Sequence, residues 1–330
     1  MKKTLRPPRF FLPCLFLLSL LPWAQAMVLI SINANHGWWL MAARRWLKGG
    51  AMLTDFYDTN PPWVILFYVP QIAFSEIFSI PVYYMPAVAG FLSAGLAIAA
   101  VYHLLKYVPA FDFREKTAFL TSFTVAGTVL ASTFYFGDRD HLVALALVPL
   151  LLAQAALTFG YRIPPALLRA VLVFCGCVVL IKPHYGLFPA IMILHRMIRR
   201  RRFLPILKDP DFVALAGCGA GYAIFHLVFF RDFIFFIFPD VLTLYISTYD
   251  PAVIRQSLGL VLVLALFMSA AAFLLNLGPR QKKIVLTLFA GALLGVFFFC
   301  IQMKGFYYHL LPGFTLFFIG LGLLLLYAMD

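Results

Sequence analysis

Residues 62–80 read PWVILFYVPQIAFSEIFSI. The run is apolar enough to pass for a membrane span, and whether it crosses decides how the whole chain is threaded. It opens on Pro61-Pro62, carries Pro70, Gln71 and Glu76 inside, and stops at Pro81. Proline starts a helix well but interrupts its interior, and a carboxylate at bilayer depth is costly. The pattern predicts an interfacial or re-entrant helix lying against the bilayer rather than a span.

The other apolar runs cover about 82–105, 117–136, 142–160, 166–181, 185–195, 212–230, 253–277, 284–303 and 310–329, after a first run ending near residue 32. About 20 apolar residues cross a bilayer. Were 62–80 to cross as well, the basic loop Arg196–Arg202 would fall outside, against the excess of Lys and Arg that cytoplasmic loops carry. With 62–80 left out, eighteen basic residues fall inside. Eight fall outside: Arg44, Arg45, Lys48, Arg139, Lys182, Arg231, Arg255 and Lys304. The expectation is an all-α polytopic membrane protein with about ten transmembrane helices plus a non-crossing interfacial helix in the first outer loop. The runs 166–181 and 185–195 are short for spans, as broken helices lining a protein cavity are.

As one transmembrane domain, residues 1–330 divide into a first helix or signal anchor (1–32), a first outer loop with juxtamembrane helices (33–81, amphipathic over 37–48) and the remaining spans (82–330). Lys2, Lys3, Arg6 and Arg9 before an apolar stretch, then Ala24-Gln25-Ala26, also have the form of a cleavable signal. Uncleaved, the N-terminus is cytoplasmic, and the expected location is the cytoplasmic (inner) membrane.

Composition agrees. At 63% apolar and 12% charged, the chain departs from the roughly one-quarter charged residues of soluble domains. The net charge of +13 sits in short loops, a topology signal rather than a nucleic-acid footprint. Cys14, Cys175, Cys177, Cys218 and Cys300 all lie in apolar runs and read as buried small apolar residues, with neither a disulfide nor a zinc site.

The outer loops hold the unusual chemistry. The first carries Asn33, Asn35, His36, Trp38 and Trp39, then Gly49-Gly50, Asp55, Tyr57, Asp58 and Asn60-Pro61-Pro62. Later ones read Phe136-Gly137-Asp138-Arg139-Asp140-His141, Lys182-Pro183-His184-Tyr185, a stretch with Asp240, Tyr245, Tyr249 and Asp250, and Gln302-Met303-Lys304-Gly305 followed by Tyr307-Tyr308-His309. Cations there suit a phosphate-bearing lipid. An Asp suits proton removal from an acceptor hydroxyl, and the paired Asp138 and Asp140 suit a divalent cation. Plainer readings stand beside these: an ion-pair cluster at a helix end for 138–140, a snorkelling Lys182, a core histidine at 226, and an aromatic belt for Trp38, Trp39, Trp46 and Trp63.

In order, these motifs resemble the GT-C superfamily of polytopic glycosyltransferases, near the bacterial relatives of protein mannosyltransferases and the aminoarabinose transferase. The resemblance runs from about residue 30 to 315. It rests on Gly49-Gly50, Asp55, Asp58 and Asn60-Pro61-Pro62, on Phe136–Leu142, on Lys182-Pro183, and on Gln302, Lys304-Gly305 and Tyr308-His309. It implies transfer of a sugar from a polyprenyl-phosphate donor to a glycan, lipid or protein acceptor on the outer, periplasmic face. Asn35 stands where such relatives carry an acid, which leaves Asp58 as the expected base, Asp55 as a residue orienting the acceptor, and His36 as another candidate base. Arg139, Lys182, His184, Lys304 and His309 are the expected donor-phosphate ligands. Two other readings remain: a non-catalytic relative that binds a lipid-linked glycan or scaffolds an assembly, and a transporter or flippase.

Overall fold

The computed structural model describes residues 34–129, 135–201, 204–247, 277–302 and 307–329, with scattered positions between 252 and 271. Among these residues there are helices and turns and no strand. The first, α1 (Ala34–Leu47), buries His36, Trp39, Leu40, Ala42 and Ala43 and carries Arg44 and Arg45 in its last turn. It begins three residues before the stretch expected from the sequence, and Arg44, Arg45 and Lys48 are exposed as expected.

The next, α2 (Pro62–Ile77), packs along α1. Its protein-facing residues Ile65, Tyr68, Gln71, Ile72 and Ser75 recur at helical spacing, while Leu66, Phe74 and Ile77 point outward and are exposed. Polar groups inward and apolar groups outward suit an apolar surrounding, not water. At about 1.5 Å per residue this helix falls short of a bilayer core about 30 Å thick.

There follow α3 (Val82–Leu105), α4 (Phe113–Thr124, prolonged by a wide turn to Val129), α5 (Arg139–Thr158), α6 (Pro165–Val179), α7 (Leu187–Arg200), α8 (Pro210–Phe229), α9 (Phe238–Ser247), α10 (Pro279–Gln302) and α11 (Tyr308–Ala328). Five of them, α3, α5, α8, α10 and α11, are long and apolar enough to cross a membrane. The two short runs form helices of 15 and 14 residues, α6 and α7, below the length of a span. Residues 1–32, 130–134 and most of 253–277, where further spans were expected, lie outside the described residues.

An apolar helix with no polar stripe belongs in the interior, and α5 is that helix. It is buried over most of its surface and touches α3, α6, α7 and α11. Helices α10 and α11 pack closely, because Gly295 and Gly313 let the backbones meet. A Cβ on Gly295 would stand 2.5 Å from the Gly313 Cα.

At the opposite pole from residues 138–140 lie the ends of α4, α7, α8, α10 and α11, where basic residues of α7 and α10 pair with carboxylates at the starts of α4 and α8. Asp112 and Glu115 form a capping box that starts α4. Glu115 also accepts from Arg280 of α10 and, at 2.8 Å, from Tyr327 Oη of α11. Arg196 of α7 donates to both oxygens of Asp211 at 2.6 and 2.7 Å, and Gln154 of α5 donates to Pro189 O at 3.2 Å. One member of the expected basic loop is thus a buried, paired strut rather than a solvated charge. Of the cysteines, Cys175 and Cys218 are buried, whereas Cys177 and Cys300 are only half-buried. Their runs are helical and turn one side toward the surrounding. Cys14 lies outside the described residues.

Candidate functional site

The N-terminus of α5 emerges at the end of the bundle where α1, α2, the 182–186 turn and the start of α11 converge. Gly137 makes this possible. Its φ is +79°, and a Cβ there would stand 2.5 Å from Pro86 O, so only glycine lets the turn tuck against α3. Asp138 then caps α5, its Oδ1 accepting from the Arg139 amide at 2.7 Å. Its Oδ2 accepts from Asn35 Nδ2 at 3.0 Å. His141 locks the turn from inside, accepting from Gly137 N through Nδ1 at 2.8 Å and donating through Nε2 to Gly127 O at 2.6 Å.

Two residues along from Asp138, the Asp140 carboxylate meets Lys182 Nζ at 3.0 Å and His309 Nδ1 at 3.1 Å. Lys182 and His309 also touch, at 3.2 Å, and Tyr185 Oη donates to His309 O at 2.9 Å. Asp138, Arg139, Asp140, Lys182 and His309 are all buried. Lys182 is therefore no snorkelling side chain: its ammonium is held inside by a carboxylate. Burial pulls it down to about 8, with Asp140 pulling the other way. His184 lies beside this group, its Nε2 accepting from Gln302 Nε2 at 3.2 Å and its ring against Tyr185 and Phe298. Burial lowers it to about 4, so it is neutral near pH 7.

Arg139 is held differently. Its guanidinium lies 5.4 Å over the Trp39 ring, and Nε is 3.9 Å from Asp138 Oδ1, beyond hydrogen-bond distance. That buried Nε has no hydrogen-bond partner among the described residues. A buried donor left without an acceptor costs free energy that an incoming anion returns.

The first-loop candidates separate. Asp58 is half-buried and within electrostatic reach of Arg139. Its Oδ1 accepts from Asn60 N and Nδ2 at 2.6 and 2.7 Å, and among the described residues no hydrogen bond engages its Oδ2. Asp55 is exposed and closes its own turn, Oδ2 accepting from Ala51 N at 2.7 Å. His36 is buried, accepting from Tyr68 Oη at 2.8 Å and donating to Phe136 O at 3.3 Å. Burial lowers its pKa, so it is a neutral strut between α1, α2 and the 136–138 turn. Tyr68 had not stood out in the sequence; its signal is the polar face it shares with Gln71 and Ser75. Lys304, Tyr249 and Asp250 lie outside the described residues, and Asp240 sits exposed on α9. His226 is a core histidine, buried and bonded to Tyr222 O of its own helix.

Asp138 and Asp140 face separate partners, one Asn35 and the other Lys182 with His309. Among the described residues no group of three or more His, Cys, Asp or Glu has metal-holding geometry.

Asn35 is matched to Asp138. In Asn35→Asp a second carboxylate would stand about 3 Å from the first, and two such groups cannot both ionise. The variant is expected to lower the thermal unfolding temperature in detergent, and Asn35→Asp/Asp138→Asn to restore it. A gain of transfer activity in the single variant would instead indicate a decayed acid at position 35.

No protein-family model matches the chain, and neither the curated proteins nor the solved structures include a significant match.

Proposed function

We propose that this protein is a multi-pass glycosyltransferase of the cytoplasmic membrane. On this reading it moves a sugar from a polyprenyl-phosphate donor to an envelope glycan, lipid or protein acceptor on the outer face. On the same reading, which the distribution of Lys and Arg supports, about ten spans put the 138–140 turn, Lys182 and His309 outside and the basic pole inside. The observation that carries the reading is the buried Arg139 guanidinium, within electrostatic reach of Lys182 and His309 and with a donor unmatched among the described residues, at the bundle end that also holds Asp58.

Sugar transfer from a lipid phosphate needs two things. The departing phosphate gains negative charge as the glycosidic bond breaks, and fixed cations in a water-poor site stabilise it. Arg139 and Lys182 supply these. The acceptor hydroxyl must lose its proton as its oxygen bonds to the sugar, and a carboxylate with an open oxygen takes it. Asp58 has that oxygen. Asn35 and Asp140 are positioning residues: one fixes Asp138, the other holds Lys182 and His309.

The test is binding of a polyprenyl phosphate to purified protein, with the unphosphorylated polyprenol as control. The phosphate should bind and the alcohol bind far less. Arg139→Gln should weaken phosphate binding about 10–100-fold, as expected for a lost charge-assisted contact. Equal binding of phosphate and alcohol would remove the donor assignment. In parallel, a deletion strain should lose one sugar from its envelope glycans by mass spectrometry.

The pH dependence has a definite sign. Lys182 binds phosphate as the ammonium, and in the free protein that form is lost as pH rises through about 8. Phosphate affinity should therefore fall above that pH and stay level below it. Lys182→Arg, which keeps its charge, should flatten the curve. An unchanged profile in Lys182→Arg would assign the titration to another group.

A further inference from the structure

At the basic pole, far from the site above, α5, α7 and α10 enclose a cavity of about 330 Å³. Its walls are apolar: Phe111, Val148, Leu151, Ala155, Ile284 and Leu288 among them. Phe159, just past the end of α5, forms part of the rim and is exposed. Two cations converge on its ring, with the Arg199 guanidinium 5.3 Å from the centroid and the Lys283 ammonium 5.4 Å. Both side chains are exposed, and neither has an ion-pair partner among the described residues. The neighbouring Arg280, also on the rim, is committed to Glu115.

Two like charges drawn to one ring repel each other. An anion beside the ring would relieve that repulsion, and the apolar cavity beneath would take a hydrocarbon chain. A free inorganic anion would use the cations and leave the cavity empty; a neutral lipid would fill the cavity and leave the cations unmatched. We propose that this pocket binds an anionic phospholipid, its phosphate against Arg199 and Lys283 and part of an acyl chain between α5, α7 and α10. Basic pockets between membrane helices on the cytoplasmic side have the chemistry for such headgroups. The charge distribution puts this pole in the cytoplasmic leaflet, where anionic lipids provide the ligand. The site is independent of the sugar-transfer reading.

The experiment uses full-length protein, delipidated in neutral detergent and offered equal amounts of phosphatidylglycerol and phosphatidylcholine with identical chains. Retained lipid is counted by native mass spectrometry. Wild type should hold phosphatidylglycerol with about 10-fold preference. The double variant Arg199→Gln/Lys283→Gln should lose the preference, and the charge-conserving Arg199→Lys/Lys283→Arg should keep it. Both positions are exposed, so these variants leave the core intact, as size-exclusion chromatography will check. Ala155→Trp, which fills the cavity, should reduce retention with both cations in place; Leu151→Phe, a smaller change, serves the same purpose if that variant does not fold. The proposal fails if wild type shows no preference or the glutamine double variant keeps it. It fails equally if inorganic phosphate displaces the lipid as effectively as more lipid does, which would mark a simple anion patch.

Discussion

Asp140→Ala is expected to destabilise the protein by about 3–5 kcal/mol, the usual cost of removing one partner from a buried ion pair. The cost arises because Lys182 stays behind, buried at a site where Asp140 Oδ2 stood 3.0 Å away. His309 loses the same carboxylate at 3.1 Å. The midpoint of thermal unfolding in detergent should fall accordingly. Replacing both charges separates stability from function. In Asp140→Leu/Lys182→Met the apolar side chains fill similar volume with no charge to desolvate, and such exchanges are often neutral or stabilising. The unfolding midpoint should return to near its wild-type position, while polyprenyl-phosphate binding stays weak because the cation is gone. A double variant that recovers both would show that the pair is a strut and that phosphate is held elsewhere. A single variant as stable as wild type would show that Lys182 escapes to water without Asp140.

Much of this arrangement was legible in the chain. Pro61-Pro62 and Pro81 bracket α2 as expected, because proline acts on its own backbone whatever the tertiary context. Arg44, Arg45 and Lys48 as the wet face of an amphipathic helix over 37–48 announced most of α1. The gathering of residues 138–140, Lys182 and His309 followed from topology alone, since loops on one side of a bundle have few places to go. What stayed hidden is pairing. Whether Lys182 meets Asp138 or Asp140 depends on the rotation of α5, which a helix apolar all round does not encode. His36 stands next to Asn35 in the chain, but its partner Tyr68 lies in another helix, so its strut role is invisible there. Asp55 belongs to the same motif as Asp58, yet it closes the turn at Ala51 by a local bond. Arg196 counted as one basic residue among several, and only the approach of α7 to α8 shows Asp211 waiting for it. The lengths of α6 and α7 were visible as short runs; that they fall below a span follows from where Lys182-Pro183 and Arg201 interrupt the backbone.

The second large effect is expected in Asp58→Asn. Sugar transfer should fall about 10²–10⁴-fold, the usual contribution of a positioned general base, with expression unchanged. The substitution is mild for the fold. Asn can still present a side-chain oxygen to the Asn60 amide, which Asp58 Oδ1 now meets at 2.6 Å, so the turn into Pro61-Pro62 persists. What disappears is the open carboxylate oxygen and a negative charge within reach of Arg139. Loss of that charge should leave phosphate binding intact or slightly stronger. Transfer thus falls while donor affinity does not, a split that misfolding would not produce. Asp58→Ala removes the turn as well, so it should lower both. The measurement is envelope-glycan mass spectrometry in a deletion strain carrying each variant, with phosphate binding by the purified proteins alongside. Full transfer in Asp58→Asn would displace the base to Asp138, since Asp140, the other carboxylate near Arg139, is held by Lys182 and His309. Asp138 is buried with an oxygen on Asn35, so it could act only after the acceptor displaced that amide. Asn35→Ala would then raise transfer if Asp138 is the base, and would leave it unchanged or reduced if Asp58 is.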